Sequence, residues 1–229
     1  MDSPSEAPIP PTRATAIAPA TRTVWSLGAV GRIEILLDEP AGAPRGVALV
    51  AHPQPLLGGS ARHKVPHVLA HALRDQGWLS MRPNFRGVGG SEGRHDHGAG
   101  ETEDLLLVAA QARADHPGLP LALMGFSFGA YVQSHVAARL AERGDPARHV
   151  LLAGMPVGQV QDWRHYDPAP VEHAWLVHGE FDERAGLQAL LGWARERRQP
   201  VFVVPGADHF FSGRLQLLRE LVAAQVGSI

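Results

Sequence analysis

From residue 46 to the C-terminal end, the sequence alternates short, nearly continuous apolar runs with stretches of helical period, and few folds accommodate that alternation. Residues 46–51, 119–124, 149–153, 174–177 and 200–204 are too short for helices and almost free of polar positions, the pattern of strands buried on both faces. Between and after them, residues 65–76, 101–114, 129–143, 186–197 and 213–226 carry apolar side chains at helical spacing. Strand alternating with helix predicts an α/β fold, a parallel sheet with helices on both faces. Upstream, two apolar stretches within residues 24–37 flank Gly28-Ala29-Val30-Gly31 and predict an antiparallel hairpin at a sheet edge. Residues 1–20 hold five prolines in the first nineteen positions and no period, which predicts a loose tail before a single domain over 21–229. No internal repeat is present.

Composition narrows the function. With 45% apolar and 19% charged residues in 229, there is enough material for one large core and little for a second. The formal charge of −2 and the scattered arginines exclude a phosphate-backbone stripe, so no nucleic-acid partner is expected. The absence of cysteine removes disulfides, thiolate metal sites and a cysteine nucleophile. No eighteen-residue apolar run and no basic-then-apolar leader occur, so a cytoplasmic protein without a membrane span is expected.

In a parallel sheet, ligands sit beyond the carboxyl ends of the strands, which directs attention to the residues just after each apolar run. The run over 119–124 leads into Gly125-Phe126-Ser127-Phe128-Gly129 and then directly into a helical pattern. This is G-x-S-x-G in a strand–turn–helix setting, where the glycines make room for a sharp turn that exposes the serine. A serine hydroxyl needs a base to take its proton as it attacks. Of the thirteen histidines, His209 lies in the loop leaving the last strand run, in Pro205-Gly206-Ala207-Asp208-His209. An acid between serine and histidine in the chain would orient the imidazole. Asp182, in the loop after the run over 174–177, fits best; Glu180, Glu183 and Asp208 are rivals, although Asp208 is too close in sequence to reach the ring well. For the oxyanion of acyl transfer, the N–H of Phe128, next to the serine, is one expected donor. Gln54, in His52-Pro53-Gln54-Pro55-Leu56-Leu57-Gly58-Gly59, is expected to give the second, because its proline neighbours have no N–H.

At this point the chain resembles the small, lid-poor bacterial hydrolases of the α/β-hydrolase superfamily, in the dienelactone hydrolase-like and CocE/NonD-type branch. The resemblance covers about residues 47–221 and rests on five blocks in order: His52 to Gly59, Asn84-Phe85-Arg86-Gly87-Val88-Gly89-Gly90-Ser91-Glu92-Gly93, Gly125 to Gly129, His178-Gly179-Glu180-Phe181-Asp182, and Gly206-Ala207-Asp208-His209-Phe210-Phe211. It implies the same triad and oxyanion donors, and an α/β-hydrolase fold with a mostly parallel eight-stranded sheet whose first strands are antiparallel. Dienelactone hydrolases proper use a cysteine nucleophile, so Ser127 argues against that activity.

Other patterns carry less. Glu92 stands where a dinucleotide fingerprint needs its third glycine, and Lys64, the only lysine, lies outside any glycine-rich loop. The Arg86 segment is expected to shape a strand end and the pocket. His63, His67 and His71 have helical spacing without a carboxylate in register and read as surface histidines; His95-Asp96-His97 reads as a solvated loop. Phe126, Trp163, Tyr166, Phe210 and Phe211 are candidates for an acyl pocket. The expected function is a carboxylesterase-like serine hydrolase acting on small soluble acyl substrates, with no metal or organic cofactor and an open site, since only about twenty residues separate the strands over 149–153 and 174–177. A peptidase or amidase with the same triad, or a non-catalytic binding protein of this fold, are the alternatives.

Overall fold

The computed structural model describes residues 20–161 and 164–227. In chain order the elements are β1 (Ala20–Leu27), β2 (Arg32–Glu39), β3 (Gly46–Ala51), a 3₁₀ turn (Pro55–Leu57), α1 (Lys64–Asp75), β4 (Trp78–Pro83), α2 (Ala99–Asp115), β5 (Leu121–Phe126) and α3 (Phe128–Glu142). They continue with β6 (His149–Ala153), β7 (Gly158–Val160), β8 (Arg164–Tyr166), β9 (Trp175–Gly179), α4 (Leu187–Glu196), β10 (Val201–Val204) and α5 (Leu215–Gly227). Ala20 thus already belongs to β1; the tail expected over 1–20 otherwise lies outside the described residues.

Eight strands form one sheet in the order β1-β2-β4-β3-β5-β6-β9-β10, and β7 pairs with β8 as a separate hairpin. β2 runs against both its neighbours, and every pairing from β4 to β10 is parallel. The mostly parallel eight-stranded α/β sheet with antiparallel first strands is therefore present.

The strand runs lack polar positions because both faces of the sheet are covered. Leu49, Leu121 and Leu123 face one core with α2, α3 and α4, whereas Ala48, Val50, Ala122 and Met124 face a second core with α1 and α5. Burying each of the Leu, Val and Met side chains contributes on the order of 2 kcal/mol, and each Ala less, before the entropy of ordering them is counted. β10 departs from the expectation of a doubly buried strand. It is the sheet edge, and Phe202 and Val203 are each 39% exposed there.

Register sets the position of the site. Ala51 pairs with Gly125, Phe126 with Ala153, Ala153 with Val177, and Val204 with Gly179, so β3, β5, β6, β9 and β10 end at one rim of the sheet. The loops leaving that rim carry His52 to Gln54, Ser127, Asp182 and His209.

Candidate active site

Ser127 sits between β5 and α3 at φ +56° and ψ −122°, a conformation that costs an ordinary side chain about 1–3 kcal/mol and persists only where its surroundings enforce it. The enforcement is local. A methyl on Gly125 would strike the backbone of Gly129 and Ala130, and one on Gly129 would strike the carbonyls of Ala51 and His52. The Ser127 N–H donates to the Ala153 carbonyl at 2.9 Å, fastening the turn to β6.

The loops after β9 and β10 meet this turn. Gly179 lacks the side chain that would hit the Ala207 and Asp208 carbonyls, and Phe181 N–H donates to Ala207 O, so the two loops lie against each other. His209 Nε2 stands 3.0 Å from Ser127 Oγ, and its Nδ1–H donates to Asp182 Oδ2 at 2.7 Å. The neutral ring therefore presents a lone pair to the serine hydroxyl. Asp182 and His209 are each only 6% exposed. Burial alone would raise the Asp182 carboxyl, but the hydrogen bond from His209, the charge that ring carries when protonated, and the Ala185 N–H together hold it below the ordinary carboxylate range. Its Oδ1 also accepts the Arg184 and Ala185 N–H groups. Of the rivals, Glu180 accepts Gly206 N–H, Asp208 accepts Phe210 and Ser212 N–H, and Glu183 is exposed.

Phe128 opens α3, where a backbone N–H has no carbonyl one turn back to take it up. Gln54 caps the 3₁₀ turn and lines the same cleft as Ser127. Its side-chain amide donates to Tyr166 Oη at 3.3 Å, joining this loop to the β7–β8 hairpin. That hairpin occupies the short stretch between β6 and β9 and walls the cleft with Val160, Arg164 and Tyr166. The cleft, mouth included, has an empty volume of about 630 Å³.

Sequence reasoning missed two buried histidines behind these groups. His52 is fully enclosed: the Phe85 N–H donates to its Nε2 at 2.9 Å, so Nδ1 carries the proton and donates to Pro53 O at 2.7 Å. Burial pushes this imidazole down to about 3, which keeps it neutral. His178 Nε2–H donates to Ala185 O at 2.6 Å and lies 3.3 Å from Asp182 Oδ2, bracing the acid loop. Each lies within one residue of a strand end on the site rim, the one signal that pointed to them.

Several expectations need correction. His63 is no surface histidine: it lines the cleft and stacks on Phe126, with ring centroids 5.6 Å apart. His71 is half-buried, with Nε2 3.3 Å from the buried Asp38, whereas His67 is exposed as expected, its Nδ1 3.4 Å from Arg82. His95 is not solvated, since its side chain is 8% exposed and Nδ1 lies 2.9 Å from the buried Glu101. Arg86 secures a strand end through Asp104 at 2.8 Å but does not line the cleft. Of the candidate aromatics, Tyr166 and Phe210 line it, Phe126 and Phe211 are core, and Trp163 lies outside the described residues. Among the described residues no group of three His, Cys, Asp or Glu is arranged to hold a metal ion, and no helix is long and apolar enough to cross a membrane.

A parallel sheet with one reversed strand, and a serine held at positive φ between strand and helix beside a histidine, define an α/β serine hydrolase. The comparisons agree: residues 56–182 match the model of the family described as serine aminopeptidase, S33, and the chain belongs to that family. It is 31% identical over 198 residues to the uncharacterized protein RP471 of Rickettsia prowazekii, covering 82% of this chain and 81% of that one. The crystal structure of XC6422 from Xanthomonas campestris, an α/β serine hydrolase without lid, superposes with a TM-score of 0.79 at 33% identity, covering 96% of each chain. A monoacylglycerol lipase of Mycolicibacterium smegmatis is 32% identical over 126 residues, 52% of this chain and 43% of that protein.

Proposed function

We propose that this serine hydrolase cleaves ester bonds of small acyl substrates, with Ser127 as nucleophile, His209 as general base and acid, and Asp182 as the residue that orients His209. The observation that carries the reading is the unbroken chain from Ser127 Oγ through both nitrogens of His209 to Asp182, at 3.0 and 2.7 Å. As Oγ bonds to the ester carbonyl carbon, its proton passes to His209 Nε2 and the carbonyl oxygen becomes an oxyanion. The N–H groups of Phe128 and Gln54 would receive that oxyanion. Collapse breaks the bond to the alcohol oxygen, which leaves with the proton from Nε2. A water, deprotonated by the same nitrogen, then releases the acid and restores Ser127. Asp182 stays ionised and stabilises the imidazolium.

An ester is favoured over an aminopeptidase substrate by the cleft wall. Holding a free α-ammonium calls for a carboxylate, and none of the described residues lining the cleft is Asp or Glu. The lipase relative adds weight on the ester side.

The test is hydrolysis of p-nitrophenyl acetate and labelling by a fluorophosphonate, for the wild type and Ser127→Ala. Loss of both in the variant, with kcat/KM down by about 10⁴-fold or more, is expected. Equal turnover in the two proteins, or a wild type that neither turns over ester nor labels, would leave a binding protein of this fold.

A further inference from the structure

We infer that the esters taken by this site carry a carboxylate, an inference that rests on the hydrolase reading above and names its substrate class. The chain as a whole is slightly acidic, with 23 Asp and Glu against 21 Lys and Arg. The cleft reverses that balance: Arg164 and Arg184 line it beside Ser127 and His209, and among the described lining residues there is no carboxylate.

Arg184 is the more telling of the two. Its backbone is fixed by the N–H bond to Asp182 Oδ1 at 2.9 Å, so the side chain starts from a rigid point two residues beyond the acid. Its guanidinium makes no ion pair or hydrogen bond among the described residues and lies 5.0 Å from the centre of the Phe210 ring. That ring is 5.2 Å from the ring of His209, and Lys64 Nζ, the chain's single ammonium side chain, approaches it at 5.3 Å. Two cations thus converge on the aromatic side chain next to the general base. None of Glu180, Glu183 and Asp208 lines the cleft: Glu180 accepts the Gly206 N–H, and Asp208 accepts the Phe210 and Ser212 N–H groups and lies close enough to Lys64 to feel its charge, so Arg184 is the cation left to the cleft on this side. Across the cleft Arg164 donates to Gln161 Oε1 at 2.7 Å and belongs to the hairpin wall. A carboxylate a few bonds from the scissile carbonyl reaches a planar guanidinium suited to bind it in bidentate fashion.

Two substrate pairs place the carboxylate on one side of the ester or the other. Monoethyl and diethyl glutarate carry it, free or capped, on the acyl side; 4-acetoxybenzoate and its methyl ester carry it on the alcohol side. For the wild type at low ionic strength, kcat/KM is expected to favour the charged member of one pair by at least about threefold, chiefly through KM. The advantage shrinks in 0.5 M NaCl, as it must for an exposed cation. In Arg184→Gln, and further in Arg164→Gln/Arg184→Gln, the charged-to-capped ratio falls toward one; thermal melting shows that each variant is folded. A wild type labelled by the fluorophosphonate that prefers the capped member in both pairs, or cleaves neither pair, overturns the carboxylate inference and leaves the hydrolase reading standing. A wild type that is not labelled and cleaves no ester overturns both.

Discussion

His52 holds the peptide unit that presents the Gln54 N–H: its imidazole Nδ1–H donates to the carbonyl end of the Pro53–Gln54 peptide, Pro53 O, at 2.7 Å. In a trans peptide the two ends point in opposite directions, so fixing the oxygen fixes the direction of the N–H. Gly59 completes the clamp, since any side chain there would strike the Pro53 and Gln54 carbonyl groups. His52 is therefore a positioning residue for the oxyanion donor proposed above.

Two variants separate that role from simple support of the fold. In His52→Asn the amide N–H can stand in for Nδ1–H and hold Pro53 O, while the Phe85 N–H loses its acceptor. In His52→Gln the amide oxygen can stand in for Nε2 and keep Phe85, while the Pro53 carbonyl is released. On p-nitrophenyl acetate, His52→Gln is expected to lose about 10- to 100-fold in kcat with KM little changed, part of what removal of a whole oxyanion donor costs. His52→Asn should retain most of kcat at a lower melting temperature. Activity that tracks melting temperature in both variants would reduce His52 to a packing residue.

Asp182→Asn tests the acid without changing its shape. The amide would donate to His209 Nδ1 and leave the proton on Nε2, the wrong tautomer to accept one from Ser127. A fall in kcat of about 10³- to 10⁴-fold is expected, with folding preserved as judged by circular dichroism. A loss under tenfold would mean that another group orients His209.

What the sequence made legible, and what it did not, follows from how each residue is stabilised. The strand–turn–helix around Ser127 was readable because Gly125 and Gly129 answer to sterics within a few residues. Asp182 and His209 were readable as strand-end residues in the order the fold imposes. β4 was missed because Ser80, Arg82 and Pro83 break its apolar run, yet Arg82 is buried at 2% exposure by pairing with Asp38 from β2, a partner 44 residues away. His95 was read as solvated for the same reason: its partner Glu101 is the carboxylate that also caps α2 by accepting the Asp96 and Gly98 N–H groups. Polarity at one position says nothing of a partner supplied by another element.

That buried pair carries its own prediction. Asp38 accepts from Arg82 Nε at 2.7 Å, from Nη2 at 3.0 Å and from Thr21 Oγ at 2.6 Å, joining β1, β2 and β4. Asp38→Ala would strand a guanidinium with almost no access to water, and urea unfolding should show a loss of about 3–5 kcal/mol. Asp38→Leu/Arg82→Met removes both charges and should recover at least half of that. A single variant that loses less than about 1 kcal/mol would show that water reaches Arg82 readily.

Acid should weaken the fold well above the range where carboxylates titrate, and His52 supplies the reason. In the native chain its imidazole stays neutral down to about pH 3, whereas in the unfolded chain it takes up a proton near its ordinary 6.5. Between those values the unfolded state binds more protons, so this contribution is complete above 6.5 and is lost as pH falls toward 3. Burial lowers His63, His67, His71, His135, His149 and His178 in the same direction. Asp182, held below its ordinary 3.8, adds its loss only at the acid end. At about 1.4 kcal/mol per pH unit, His52 alone accounts for a few kcal/mol across the window. Unfolding free energies from urea titrations at pH 7, 6, 5 and 4.5 should therefore decline steadily, and more gently in His52→Asn, whose side chain takes up no proton in either state. Parallel slopes in the two proteins would mean that His52 gains a proton in the native chain well above pH 3, and that the clamp on the Pro53 carbonyl survives in its charged form.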